Sequence, residues 1–183
     1  MKEVEWKLVC ELMKNSRRSD RELAKVLGVS QPTVSRTMKK LEKEGVIKEY
    51  TMIPDFAKLG FGIMSVEFAR LKEPIPEEKL KEIRKQVRQT LWKDPMSMIV
   101  GMSGIGLNAD RVVVAFHEDY STYTEHLNKI KHHPSAIADQ ISSFLIDLND
   151  KSQYLPLTLS NLADYITYKK RQKEKLQQGK GES

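Results

Sequence analysis

Residues 28–30 leave only Gly-Val-Ser between two helical patterns, and this link constrains the chain more than any other stretch. So brief a connection cannot lay two helices side by side as a parallel hairpin; it forces an angular helix-turn-helix. Upstream, "SDRELAKVLG" carries Ser19 as a cap with Glu22 three residues on as its capping-box partner. Leu23, Val26 and Leu27 are expected to face inward, and Gly28 is free to take the left-handed stop. Downstream, Ser30 caps a further helix, Pro32 sits in its first turn where a missing N–H costs nothing, and Val34, Met38 and Leu41 recur at helical spacing. An earlier helix over 3–14 repeats Val4, Leu8, Val9, Leu12 and Met13 at three- and four-residue steps, with Trp6 and Cys10 widening the stripe.

Turning Val34, Met38 and Leu41 into a core leaves Ser30, Gln31, Thr33, Ser35, Arg36, Lys39 and Lys40 on the outward faces of the third helix. Small hydroxyl and amide groups beside the free N–H groups of a helix start can bind phosphates and base edges, and an arginine there can grip a guanine or a phosphate bidentately. Such a helix is built to enter a major groove, so the expected partner is double-stranded DNA. The acidic Glu42 and Glu44 wait until the last turn. After Gly45, "VIKEYTMI" reads as a strand forming a wing, with Val46 and Ile47 closing the small core and Lys48 outward.

The string "RELAKVLGVSQPTVSRTMKKLEKEGVIKEYTMIPDFAKLG" closely resembles the winged helix-turn-helix of the leucine-responsive and asparagine-responsive regulators, the Lrp/AsnC family. The positions of Ser30, Thr33, Val34, Arg36, Leu41, Gly45, Val46 and Ile47 carry the likeness. The resemblance implies a sequence-specific transcriptional regulator that is not an enzyme. It further implies that a linker strand leads into a domain that forms a homodimer or higher oligomer and senses a small molecule, with a free amino acid as the candidate effector. Relatives carry a short Gly-x-x-Asp turn near the effector site. Here the corresponding stretch runs from Gly101 to Asp110, and Gly101, Gly104 and Asp110 are the candidate effector contacts. Two rival readings belong to other classes: an enzyme similar to the family's sirohaem-decarboxylase offshoot, and a nucleoid-packing protein with little sequence preference.

The middle of the chain reads independently. "FGIMSVEFARL", "MSMIVGM", "DRVVVAFH" and "QISSFLIDL" are strand-like, while residues 76–92 and 120–130 have helical spacing. The order βαββαβ implies an antiparallel sheet covered on one face by two helices, a ferredoxin-like arrangement whose open face dimerisation would cover. The fold class is therefore α+β: a winged helix-turn-helix over 1–54, a ferredoxin-like dimerisation and effector domain over 55–150, and over 151–183 a C-terminal extension that is helical and then basic. In that extension Ser160 is the expected cap, Leu162, Ile166 and Tyr165 the apolar side, and the dimer the surface it packs on.

Charge follows the same division. Residues 1–60 hold 13 Lys/Arg against 9 Asp/Glu, residues 61–168 hold 12 against 14, and residues 169–183 hold 6 against 2. A basic head and tail around a mildly acidic middle place any polyanion contact at the ends. A single cysteine, Cys10, excludes an internal disulfide, and the charged start and the Gly-interrupted run 95–109 fit neither a signal peptide nor a bilayer span, so the cytoplasm is expected. His117 and His126 have no cysteine cluster nearby, and His132 with His133 reads as an ordinary helix end. No metal, cofactor or catalytic nucleophile is expected.

Overall fold

The computed structural model describes residues 1–71, 97–132, 138–153 and 157–178, together with Pro76, Glu78, Glu82, Lys85 and Leu155. The chain divides into two compact units, Met1–Ile53 with Gln153–Ser183, and Pro54–Ser152.

The first unit is built on three helices, α1 (Glu3–Lys14), α2 (Asp20–Leu27) and α3 (Gln31–Lys43). The local signals act as read. Ser19 and Glu22 exchange a capping box, with Ser19 N–H donating to Glu22 Oε2 at 2.7 Å. Gly28 ends α2 at φ +68°, a left-handed conformation that costs a glycine little. Leu8, Leu12, Leu23, Ala24, Val34 and Leu41 are buried together, with Val9, Leu27, Val29, Met38 and Ile47 packed against them. Two details depart from expectation. Val26 is 56% exposed, and Ala24 takes its place in the core. At 100° per residue Leu23, Ala24 and Leu27 share one arc, from which Val26 projects sideways. The segment after Gly45 forms no ladder strand. Ile47 packs on the core, but Val46 is exposed, and residues 46–62 run without ladder partners. Side chains tether the segment instead: Tyr50 Oη donates to Glu42 Oε1 at 2.8 Å, and Ser16 Oγ donates to the Thr51 carbonyl at 3.1 Å.

The same unit includes the C-terminal helix. Its first amide, on Ser160, donates to Thr158 Oγ1 at 3.1 Å, so the hydroxyl at the helix start comes from Thr158 and not from Ser160. The side it buries is Ala163 and Ile166, which meet Trp6, Cys10 and Met13 of α1, and Lys14 pairs with Asp164 at 2.6 Å. Leu162 and Tyr165, expected on that side, are 49% and 55% exposed. Within this unit the helix packs on α1.

The second unit contains four antiparallel strands, β1 (Ile63–Leu71), β2 (Met98–Gly106), β3 (Ala109–His117) and β4 (Ala138–Asp147), in the order β2-β3-β1-β4. Helix α4 (Tyr120–His132) lies against β1 and β3, and the C-terminal helix of the first unit is α5 (Ser160–Gln178). This is the α+β, ferredoxin-like order read from the sequence. The helix expected over 76–92 falls in a stretch most of which lies outside the described residues. β1 pairs with β3 from Ile63 opposite His117 to Ala69 opposite Arg111, and with β4 from Ile63 opposite Asp147. Alternation then assigns two faces. Ser65, Glu67, Ala115 and His117 point toward α4, while Val66, Phe68, Val112, Val114 and Phe144 point to the other side.

The stretch from Gly101 to Asp110, which stands where relatives carry a short turn, is mostly strand and not loop. Both strands run through it and close in a two-residue turn, Leu107 and Asn108, at φ +51° and +54°. Two left-handed residues make the turn type that suits strand twist, but leucine is a poor occupant. Leu107 is also 77% exposed and leaves no core when replaced. Leu107→Asn should therefore stabilise the hairpin by about 0.5–1 kcal/mol, read as slower amide exchange across β2 and β3.

Candidate nucleic-acid interface and a buried polar cluster

The outward face of α3 is assembled by its cap and its core contacts. Ser30 Oγ accepts from Thr33 N–H at 3.4 Å and lies 2.8 Å from Thr33 Oγ1, which fixes the first turn. Val34 and Leu41, fully buried, hold the opposite side in the core. Gln31, Arg36, Lys39 and Lys40 are thereby exposed, with Thr33 and Ser35 half-buried between them. Arg36 Nε donates to the Pro32 carbonyl at 3.3 Å, laying the guanidinium along the helix start where the free N–H groups are. Lys39 has no ion pair among the described residues. The seven residues expected at the interface thus share one helix and one polar surface.

Lys40 differs from the others in one respect. Its ammonium pairs with Glu5 Oε1 at 2.6 Å and with Glu44 at 3.6 Å. Glu5 is 5% exposed, and its other oxygen accepts from the Lys2 N–H at 2.6 Å, capping α1. The hydrogen bond from Lys40, then that from Lys2, holds the Glu5 carboxyl below the usual glutamate range, and the same bond raises Lys40. Glu5 is a residue the sequence reading missed. Its signal was an acid on the apolar side of α1, next to Trp6, where only a partnered carboxylate is stable.

The expected effector contacts are placed differently. Gly101 and Gly104 lie within β2, an edge strand, and both are exposed. Asp110 lies at the start of β3, where its carboxylate accepts from the Leu71 N–H at 3.2 and 3.3 Å and sits 3.6 Å from Arg111. It ties β3 to the end of β1.

Under α4 lies a second constellation that sequence reasoning did not assemble. Glu67, His117 and His126 are 1%, 3% and 6% exposed, and one potential ligand atom from each lies within 4.8 Å of the others. His126 Nε2 is 3.0 Å from Glu67 Oε1, Ser65 Oγ donates to the same oxygen at 2.9 Å, and His117 Nε2 is 2.8 Å from Ser65 Oγ. Burial, then the neighbouring His126, holds His117 below the ordinary imidazole range, although Glu67 pulls the other way. Among the described residues this is the group equipped to hold a metal ion. No described helix is long and apolar enough to cross a membrane.

Head and sheet together define a winged helix-turn-helix protein joined to an α+β sandwich, and residues 1–48 match the family described as winged helix-turn-helix DNA-binding. An uncharacterized HTH-type transcriptional regulator of Pyrococcus horikoshii, PH0061, is 36% identical over 77 residues, 42% of this chain and 51% of that protein. The regulator LrpC of Bacillus subtilis is 36% identical over 70 residues, 38% and 49% of the two chains. The chain spans about half the length of the curated relatives it matches. In structure, B. subtilis LrpC superposes with a TM-score of 0.64 at 25% identity, covering 85% of this chain and 99% of that one. The L-Met complex of the transcriptional regulator NMB0573 from Neisseria meningitidis shares the fold, at TM-score 0.68 and 17% identity over 87% and 95%. The chain is thus similar to Lrp/AsnC regulators in its winged helix-turn-helix head and in the fold that follows it.

The Glu5–Lys40 contact makes a pH-dependent prediction. A carboxyl whose folded pKa is lowered contributes stability that is fully present above its unfolded value, about 4.3, and is lost as pH falls through the lowered folded value. Glu5→Gln should lower the head's thermal midpoint at neutral pH, and the difference from the parent chain should vanish in acid below the folded pKa. Melts followed by circular dichroism across that range check it.

Proposed function

We propose that the protein is a sequence-specific DNA-binding transcriptional regulator, not an enzyme, acting as a homodimer or higher oligomer. The observation that carries this reading is the exposed start of α3, where Ser30, Gln31, Thr33, Ser35, Arg36 and Lys39 form one polar face over a core of Val34 and Leu41. Helix N–H groups, hydroxyls and a guanidinium at that point suit phosphate and base-edge contacts. Lys40 joins the face at its edge, with its charge already shared by Glu5 and Glu44. The relatives named as transcriptional regulators support the same reading.

The open side of the sheet supports association. Val66, Phe68, Val112 and Val114 lie on one face with Phe144, which is 65% exposed in the single chain. A contiguous apolar face of this kind favours a covering partner, and a second copy offers the same surface in return. A free amino acid is the proposed effector, supported by the related protein whose structure holds L-Met. The outer edge of β2 at Gly101 and Gly104 is the proposed contact segment. Asp110, engaged with Leu71, has a structural part there.

Selection of bound sites from random DNA tests the regulator reading. Imperfect palindromes with half-sites about one helical turn apart, or a multiple of it, are expected from a two-fold dimer. On such a site Arg36→Ala should weaken binding by about 1–3 kcal/mol and relax sequence preference, while Lys40→Ala should change affinity much less. Unaltered affinity for Arg36→Ala would sink the assignment. Phe144→Asp should shift the protein toward monomer in sedimentation and abolish the palindrome's advantage over a single half-site.

A further inference from the structure

We propose that Glu67, His117 and His126 form a binding site for a divalent transition-metal ion of the zinc class. The proposal is independent of the DNA-binding reading and rests on the sheet domain alone.

The three side chains come from β1, β3 and α4, so rigid elements and not a loop bring them together. All three are buried, and a buried carboxylate is stable only with partners of opposite charge or strong donors. Two imidazoles and one carboxylate are a donor set that zinc and its neighbours accept. Magnesium and calcium favour all-oxygen sets, and cuprous ion favours thiolates. Tetrahedral zinc with bonds near 2.1 Å places its ligand atoms about 3.4 Å apart. The His126–Glu67 separation of 3.0 Å is already of that order, and the full set spans no more than 4.8 Å.

The protons can be accounted for. An ionised Glu67 only accepts, so the single Ser65 proton points to it, and both His117 Nε2 and His126 Nε2 carry hydrogen toward their partners. Ligation through Nε2 moves each ring's proton to Nδ1 without loss of a proton overall. The ion then takes the place, beside Glu67, of the hydrogen that His126 Nε2 directs at the carboxylate without it. Ser65 Oγ keeps its bond to the carboxylate and so orients it, as outer partners of metal ligands do.

Access is also present. A cavity lined by Phe61, Ser97, Phe116, Thr122 and Glu125 reaches both His117 and His126. It gives an ion an entry path and leaves room for a fourth ligand, water or the Glu125 carboxylate at its rim. The bound ion would tie α4 to the sheet through bonds to both strands.

The test uses the full chain, freed of metal with a chelator and titrated with zinc sulfate at neutral pH. Calorimetry should give one ion per chain with a dissociation constant at or below about 1 μM, and the thermal midpoint should rise with zinc concentration. Glu67→Gln and His126→Gln should each weaken binding at least about tenfold. Because these buried variants can fold poorly, the parent chain carries a second readout in nitrogen-15 spectra of the imidazole rings. Two of its four histidines should switch from the Nε2–H to the Nδ1–H tautomer on adding zinc. Rings that keep the Nε2–H tautomer at zinc saturation overturn the proposal, as does equal binding by a folded His117→Gln/His126→Gln chain. The cluster is then a hydrogen-bonded core network only.

Discussion

The turn at Gly28, Val29 and Ser30 is the constraint on which the head depends. Gly28 in the left-handed region ends α2, and Ser30 caps α3 two residues later, so α3 has no choice but to leave at an angle. At that angle Val34 and Leu41 meet Leu8 and Leu23, and burial of these four fixes α3's rotation about its own axis. Rotation in turn decides which side chains reach solvent at the helix start. A slip of one residue, about 100°, would take Val34 out of the core and put polar residues in its place. The polar face at residues 30–40 is thus a consequence of packing on the far side of the same helix.

This explains why the head was legible in the sequence and other parts were less so. Caps, Pro32 and the glycine stop are local signals, each acting within four residues, and the structure places all of them as read. Val26 misled because three-residue spacing from Leu23 looks as good on paper as the four-residue spacing of Leu27. A helix of two turns offers too few residues to show which side of the stripe is its centre. The strand after Gly45 misled for a different reason. Its residues have strand propensity, but propensity without a ladder partner makes only an extended segment, and here Tyr50 and Ser16 side chains do the tethering.

In the sheet, the glycines of "GMSGIG" conceal β2. Alternation is visible only where side chains differ, and Gly101, Gly104 and Gly106 have none to show, so the register is carried by the valines of β3 opposite. The Glu67–His117–His126 cluster was invisible for a topological reason: Glu67 lies 50 residues before His117 and 59 before His126, and it meets them only once β1 pairs with β3 and α4 folds back. One local sign existed. Glu67 lies between Val66 and Phe68 in an apolar run, and His117 ends "VVVAFH", so each puts a polar group on a strand whose register buries it.

That sign leads to the last step, because the sheet buries polar side chains under α4 and carries large apolar ones on its other face. The face toward α4 carries Ser65, Glu67 and His117 beside Val113, Ala115 and Leu145, while the opposite face carries Val66, Phe68, Val112, Val114 and Phe144. A half-covered antiparallel sheet ordinarily buries its apolar side chains under the helices and turns the polar ones to water. Here the polar residues under the helix are satisfied by one another, with no buried side-chain nitrogen or oxygen among the described residues left without a partner. On the opposite face Phe116 is covered from within the chain by the stacked ring of Phe56, 4.0 Å away, while Phe144 is 65% exposed. The His126–Glu67 contact and the edge-on packing of Tyr123 against His117 join α4 to the sheet within one chain. The exposed hydrocarbon of the opposite face is what the proposed association with a second copy would bury.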